Sequence, residues 1–198
     1  MIDKLLPYIP TSAKDPLTKL LSNYTFHLKI VNGRKTKRGD FRAIKPIASI
    51  SINNNLSKEQ FLITLVHEIA HLDAYLKYPK AKAHGTEWKQ SFQRLMLPFL
   101  NNHIFSDEIL NPLAKHLINP KATTDSDPIL STQLQLKNKV LDTNKKFIFD
   151  LEPGALFTLN NRTFKILNKR RTRYECLEIS TNKKFLVKGS ALVKIVIH

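Results

Sequence analysis

Cysteine is nearly absent from this 198-residue chain, Cys176 being the single one. An intramolecular disulfide is therefore excluded, and so is a zinc ribbon built from paired thiolates. Long uncharged apolar runs are also missing, so no segment reads as a membrane span. The opening Met1-Ile2-Asp3-Lys4 lacks the basic stretch and apolar core of a secretory leader. A cytoplasmic, reducing setting is expected, with association with the nucleoid left open. Acidic residues are scarce as well: 16 Asp and Glu stand against 32 Lys and Arg, a net charge of +16. A surplus of that size points to a polyanionic partner, although solubility alone also accounts for a basic surface.

What is present suffices for a folded protein. The hydrophobic fraction of 42% supports a buried core, and the length fits one domain with a smaller second one. The charge is unevenly spread: residues 1–56 carry a net +7, residues 57–118 only +1, and residues 119–198 +8. A nearly neutral middle thus lies between two cationic flanks.

Tyr24–Ile30 alternates apolar and polar residues and predicts a half-buried strand, with His27 on its polar face. Asn32–Asp40, with Arg34, Lys35, Lys37 and Arg38 between two glycines, reads as a flexible cationic loop. Ile47–Ile52 reads as a second strand. After the Asn53-Asn54-Asn55 turn, Ser57 and Gln60 form a capping box, and Leu56 and Phe61 stand at staple positions. Leu62, Leu65, Val66, Ile69, Leu72 and Leu76 then recur at helical spacing until Pro79 stops the helix near Tyr78. A second helix is expected from about Thr86, with Trp88, Phe92, Leu95, Met96 and Phe99 as its buried stripe. Residues 119–136, aperiodic and rich in Ser, Thr, Asp and Pro, read as a linker. Short strands follow, from Lys146–Phe149 to Ala191–Ile197, with hairpin turns expected at Asn160-Asn161 and Thr181-Asn182. The expected domains are 1–118, a linker at 119–136, and a basic β-rich module at 137–198 shaped as a small barrel or meander.

His67-Glu68-Ile69-Ala70-His71 lies inside the first long helix. Residues four apart share a face, so both imidazoles can reach one ion, while Glu68, about 100° around, can reach a water on it without ligating. A catalytic zinc takes three protein ligands and keeps one position open. His84, after the helix-ending Pro79 and followed by Gly85 and Trp88, supplies the third. His103 and His116, the remaining candidates for a fourth ligand, read as surface histidines; Asp73 reads as an exposed helical aspartate, with orientation of a ligand imidazole as the alternative, and Tyr75 and Tyr78 as packing residues near the ligand face.

The segment VHEIAHLDAYLKYPKAKAHGTEWKQSFQRLM, with YTFHLKIVNGRKTKRGDFRA and the IASISIN strand upstream, resembles the core of SprT-like metalloproteases, including the Spartan proteins. The resemblance covers roughly residues 20–105. It implies an α+β fold with a small zincin-like protease core, zinc on His67, His71 and His84, and Glu68 as general base. It further implies cleavage of proteins associated with or crosslinked to DNA. The chain departs from that pattern after the core, where many bacterial members carry a cysteine ribbon. Candidate contacts to single- or double-stranded DNA, with little sequence preference, are Arg34, Lys35, Lys37, Arg38, Lys169, Arg170, Arg171, Arg173 and Tyr174. The competing expectation is a nucleic-acid-binding or regulatory protein whose zinc site is structural or vestigial.

Overall fold

The computed structural model describes residues 1–137, 145–171 and 173–196. It is an α+β structure that divides into two compact units, Met1–Asn138 and Lys139–His198.

The first unit begins with short 3-10 turns that place Leu5, Ile9 and Ala13 fully in the core. Helix α1 (Lys14–Leu21) continues that buried row with Leu17, Leu20 and Leu21. Three strands follow: β1 (His27–Val31), β2 (Gly39–Arg42) and β3 (Ser49–Asn53). β3 is central, parallel to β1 and antiparallel to β2. The edge strand β2 lies in and beyond the segment expected to be a flexible loop. That loop is in fact pinned. The buried Asn53 side chain donates to the carbonyls of Arg34 and Lys37, and its backbone N–H donates to that of Arg38.

Helix α2 (Lys58–Lys77) starts where the cap predicts, with the Ser57 hydroxyl accepting from the Gln60 N–H at 3.2 Å. It ends at Tyr78, before Pro79. Its burial is not one-sided: Phe61, Leu62, Ile63, Leu65, Val66, Ile69, Ala70, Leu72 and Ala74 are all buried, so α2 is enclosed. Leu76, read as core from its spacing, is 60% exposed at the far end. Helix α3 (Thr86–Met96) buries Trp88, Phe92, Leu95 and Met96, as its stripe predicts.

Helix α4 (Asp107–Ile118) is followed by a 3-10 turn and helix α5 (Pro128–Lys137). The expected linker is therefore corrected over its second half. The Asp127 carboxylate accepts from the N–H groups of Ile129 and Leu130, capping α5, and Leu130 and Leu134 are fully buried in the core of the first unit. A weak hydrophobic period hid a short helix whose two leucines complete that core.

The second unit is a six-stranded antiparallel sheet. Its strands are β4 (Lys145–Phe147), β5 (Leu156–Leu159), β6 (Arg162–Lys169), β7 (Arg173–Glu178), β8 (Lys184–Lys188) and β9 (Leu192–Ile195). The order is β4-β9-β5-β6-β7-β8, so β5 to β8 form the expected meander while, among the described residues, no pairing closes a barrel. Asn160 and Asn161, at φ 52° and 60°, make the β5–β6 turn, and Asn182 at φ 54° serves the β7–β8 connection. Phe157, Phe164, Ile166, Tyr174, Cys176 and Val193 form a separate core on one face. Ile197, the expected end of the last strand, lies outside the described residues.

Candidate active site

Two turns of α2 and the start of α3 build the site. His67 and His71 leave α2 on one face, and His84 arrives from the connection between α2 and α3. Their Nε2 atoms lie 3.3 Å (His67–His71), 3.0 Å (His71–His84) and 3.3 Å (His67–His84) apart. Nitrogens about 2.0–2.1 Å from one tetrahedral ion lie about 3.3 Å from one another, so the triangle fits a single zinc-sized cation. Among the described residues no other His, Cys, Asp or Glu joins this group. His103 is exposed and His116 is apart from the cluster.

Local backbone geometry aims the third histidine. His84 itself takes the left-handed conformation, at φ 58°, an uncommon state for a residue with a side chain. Gly85 then caps α3 in an extended conformation, where a Cβ would stand 2.9 Å from the Lys82 carbonyl. The tight entry expected of Gly85 is thus shared: His84 takes the turn, and Gly85 permits the close approach. Trp88, one turn into α3, packs its ring against His67, His71 and His84 at centroid distances of 4.7, 5.3 and 4.6 Å. Its indole N–H reaches the His67 carbonyl at 3.4 Å, and Phe92 stacks behind it.

Burial tunes all three rings the same way. Loss of water pushes His67 well below the usual histidine value, His71 down to about 4, and His84 below it too. They are neutral at physiological pH, the form that donates a lone pair to a metal.

Glu68 is buried between α2 and β2. Burial, helped by the nearby Asp40 charge, raises its carboxyl to about 8, while the Phe41 backbone N–H donates to it and favours the ionised form. Gly39 is the close neighbour: a Cβ there would stand 2.4 Å from Glu68 Oε1 and 2.8 Å from Thr64 Cγ2. Phe41 lies nearly parallel to His71, at 6.2 Å, with Tyr75 5.9 Å away on its other contact. Gly39 and Phe41 escaped the sequence reading because β2 is short and sits among lysines and arginines. The only signal was a glycine directly before an acidic-aromatic pair.

Two further expectations are corrected. Asp73 is 2% exposed and is a hub, accepting from Tyr24 Oη (2.6 Å), Ser91 Oγ (2.6 Å), Arg94 (2.7 Å) and Lys77 (2.9 Å). Burial alone would raise its carboxyl, but these donors outweigh it and bring it down to about 2. None of its hydrogen bonds goes to a ligand histidine. His116 is 6% exposed rather than superficial, and burial lowers its imidazole below the ordinary value.

The proposed nucleic-acid residues scatter in their roles. Arg34 is spent on Asn53 and Ser51 of β3, Lys37 pairs with Asp40 at 2.8 Å, and Arg170 pairs with Glu175 at 2.8 Å. Lys35, Lys169, Arg171 and Arg173 are exposed. Tyr174 is 7% exposed in the core of the second unit, so its ring has no face free for stacking on a base.

The first unit is therefore an α+β domain with three histidines placed to hold one metal ion. Residues 18–105, a little under half of the chain, match the model of the SprT-like family. No curated protein and no solved structure matches the chain. The first seventeen residues, α4, α5 and the whole six-stranded unit lie outside the family match.

Proposed function

We propose that the chain is a zinc-dependent peptidase with a zincin-like core, holding its metal on His67, His71 and His84 and using Glu68 as general base. The observation that carries this reading is the convergence of three neutral imidazoles at 3.0–3.3 Å beside a buried glutamate that ligates nothing. A bound zinc ion would supply Lewis acidity for the scissile carbonyl and for a water.

The chain's own residues have distinct tasks. Glu68, fixed by the Phe41 N–H and by contact with Gly39, is positioned to take a proton from water and return it to the leaving amine. Trp88 and Phe92 hold the imidazoles from behind and exclude solvent there. β2, paired only with β3 among the described residues, offers an extended peptide an edge beside Glu68. A structural zinc site gains nothing from such a base, and a ligand group of three leaves room for substrate chemistry.

The charge supports a setting as well as a reaction. The cationic flanks suit proteins associated with or crosslinked to DNA as substrates, brought close by the nucleic acid they share. The test is Glu68→Gln, with zinc content measured beside proteolysis of a DNA-binding protein, with and without DNA. Full metal content with cleavage reduced at least a hundredfold is expected, in line with the loss of a general base. Undiminished cleavage by the metallated variant refutes the assignment.

A further inference from the structure

The second unit has two faces of opposite character. In an antiparallel sheet, residues directly opposite share a face and residues two apart along a strand return to it. The inner face carries the core, including Tyr174 and Cys176. On the other face, Leu156, Lys165, Leu177 and Lys184 form one row across four strands. Lys145, Lys194, Thr158 and Thr163 form another. Arg173 stands directly opposite Lys188, as Lys145 does opposite Lys194.

Cations directly opposite one another destabilise a sheet, so the Arg173–Lys188 pair is an arrangement that folding alone disfavours. Among the described strand residues of this face the one acidic group, Glu175, is taken up by Arg170 and Lys184 at 2.8 and 3.0 Å. Glu178 belongs to the inner face and is bound by Arg162 and Thr181. Lys165, Arg173, Lys188 and Lys194 are exposed and, among the described residues, make no ion pair. The apolar neighbours on this face include Leu186, 56% exposed between Lys184 and Lys188, and Phe147, which is 4% exposed opposite Leu192.

We infer that this face of the six-stranded sheet is a nucleic-acid-binding surface that grips the phosphate backbone. It deepens the proposed setting, rests on that reading of the charge, and moves the contact from the Lys169–Arg173 turn to the sheet. Lysine and arginine spread across strands neutralise phosphates without reading bases. The rows named offer cations rather than exposed aromatic rings, so the contacts are to phosphate, duplex and single strand are both bound and sequence matters little.

The test uses the full chain and fluorescence anisotropy with labelled single- and double-stranded oligonucleotides over a salt series. The variant K165Q/R173Q/K188Q/K194Q is compared with K14Q/K19Q/K58Q/K115Q, which removes the same charge from exposed positions of the first unit. Each phosphate contact adds about 0.9 to the slope of log K against log salt on duplex DNA, so loss of all four contacts in the sheet variant should flatten that slope by about 3.6. Its affinity near 0.1 M salt should fall at least tenfold, while the control stays within about twofold. Its thermal stability should hold or rise, because like-charge pairs have been relieved; a merely structural role for these residues would lower it.

Equal losses in both variants would reduce the effect to net charge and overturn the surface. Wild-type binding by the sheet variant would overturn the surface while leaving DNA association standing. No binding by the wild-type chain, or binding to anionic vesicles in preference to DNA, would remove both. None of these outcomes touches the peptidase assignment, which the Glu68→Gln experiment decides separately.

Discussion

Replacing Asp73 by alanine removes the one group that ties Tyr24, α2 and α3 together. The carboxylate accepts from Tyr24, Ser91, Arg94 and Lys77, yet these partners are not equal. The Arg94 and Lys77 side chains are each 51% exposed, so water replaces their lost partner and each pair is worth less than about 1 kcal/mol. Ser91 is 5% exposed and keeps a stranded hydroxyl, at about 1–3 kcal/mol, and the half-buried Tyr24 hydroxyl adds about 1 kcal/mol. The total is about 2–4 kcal/mol, or a fall of roughly 10 °C in the midpoint for a unit of this size. The assay is thermal unfolding followed by the far-UV helix signal, because α1 to α5 all belong to the first unit. Lys77→Ala and Arg94→Ala should each cost far less, and Ser91→Ala should fall between. His84 directly precedes α3, so a loosened contact between α2 and α3 should also weaken zinc binding by about tenfold, measured by chelator competition on the folded variant. Asp73→Ala no more destabilising than Lys77→Ala would refute the accounting. Unchanged zinc affinity would refute the link to His84.

Two other perturbations test the neighbourhood of the base and the second unit. Gly39→Ala puts a methyl where Glu68 Oε1 now lies within 2.4 Å, so the carboxylate must move; activity should drop about tenfold to a hundredfold with zinc retained, checked by metal analysis beside rate. In the second unit, hydrogen bonds from Arg162 and Thr181 hold Glu178 down at about 2. A carboxyl with a depressed native value stabilises above its unfolded value near 4.5 and loses that contribution as pH falls towards 2. Protection of β6 and β7 amides, relative to their intrinsic exchange rates, should fall over that acid window in the wild type, and Glu178→Gln should reduce that pH dependence, leaving the share that the paired Glu175 contributes.

What the sequence discloses follows from how far apart the determining residues lie. The α2 cap, the stop at Pro79, the α3 stripe and the placement of His67 and His71 on one face are written in local spacing, and the structure follows them. His84 was legible because Pro79 ends a helix and Trp88 begins another around it. Asp73 was not, because an aspartate on a helix looks solvated until Tyr24, Ser91 and Arg94 arrive from distant positions. β2 was hidden for a similar reason. Its four residues have little β-pattern of their own, and their conformation is set by pairing with β3 and by close contact with Glu68. Helix α5 shows the same limit, since Leu130 and Leu134 declare themselves only against a core made elsewhere.

The cationic residues show why composition alone misplaces a surface. The basic stretch Arg34–Arg38 is a candidate site in sequence because its charges are nearly adjacent. Folding spends Arg34 on β3 and Lys37 on Asp40, and uses the loop's carbonyls to satisfy the buried Asn53. Arg173 stood out only as part of a dense basic turn, while Lys165, Lys188 and Lys194 looked ordinary because they are spread over residues 165 to 194 of the chain. Antiparallel pairing gathers them onto one face, and the same alternation that exposes Arg173 buries Tyr174. A dense run is a ready source of hydrogen-bond donors for a fold, whereas Arg173 and Lys188, set opposite each other by pairing, make no ion pair among the described residues. Charge that folding brings together against its own repulsion is therefore the better guide to where a polyanion binds.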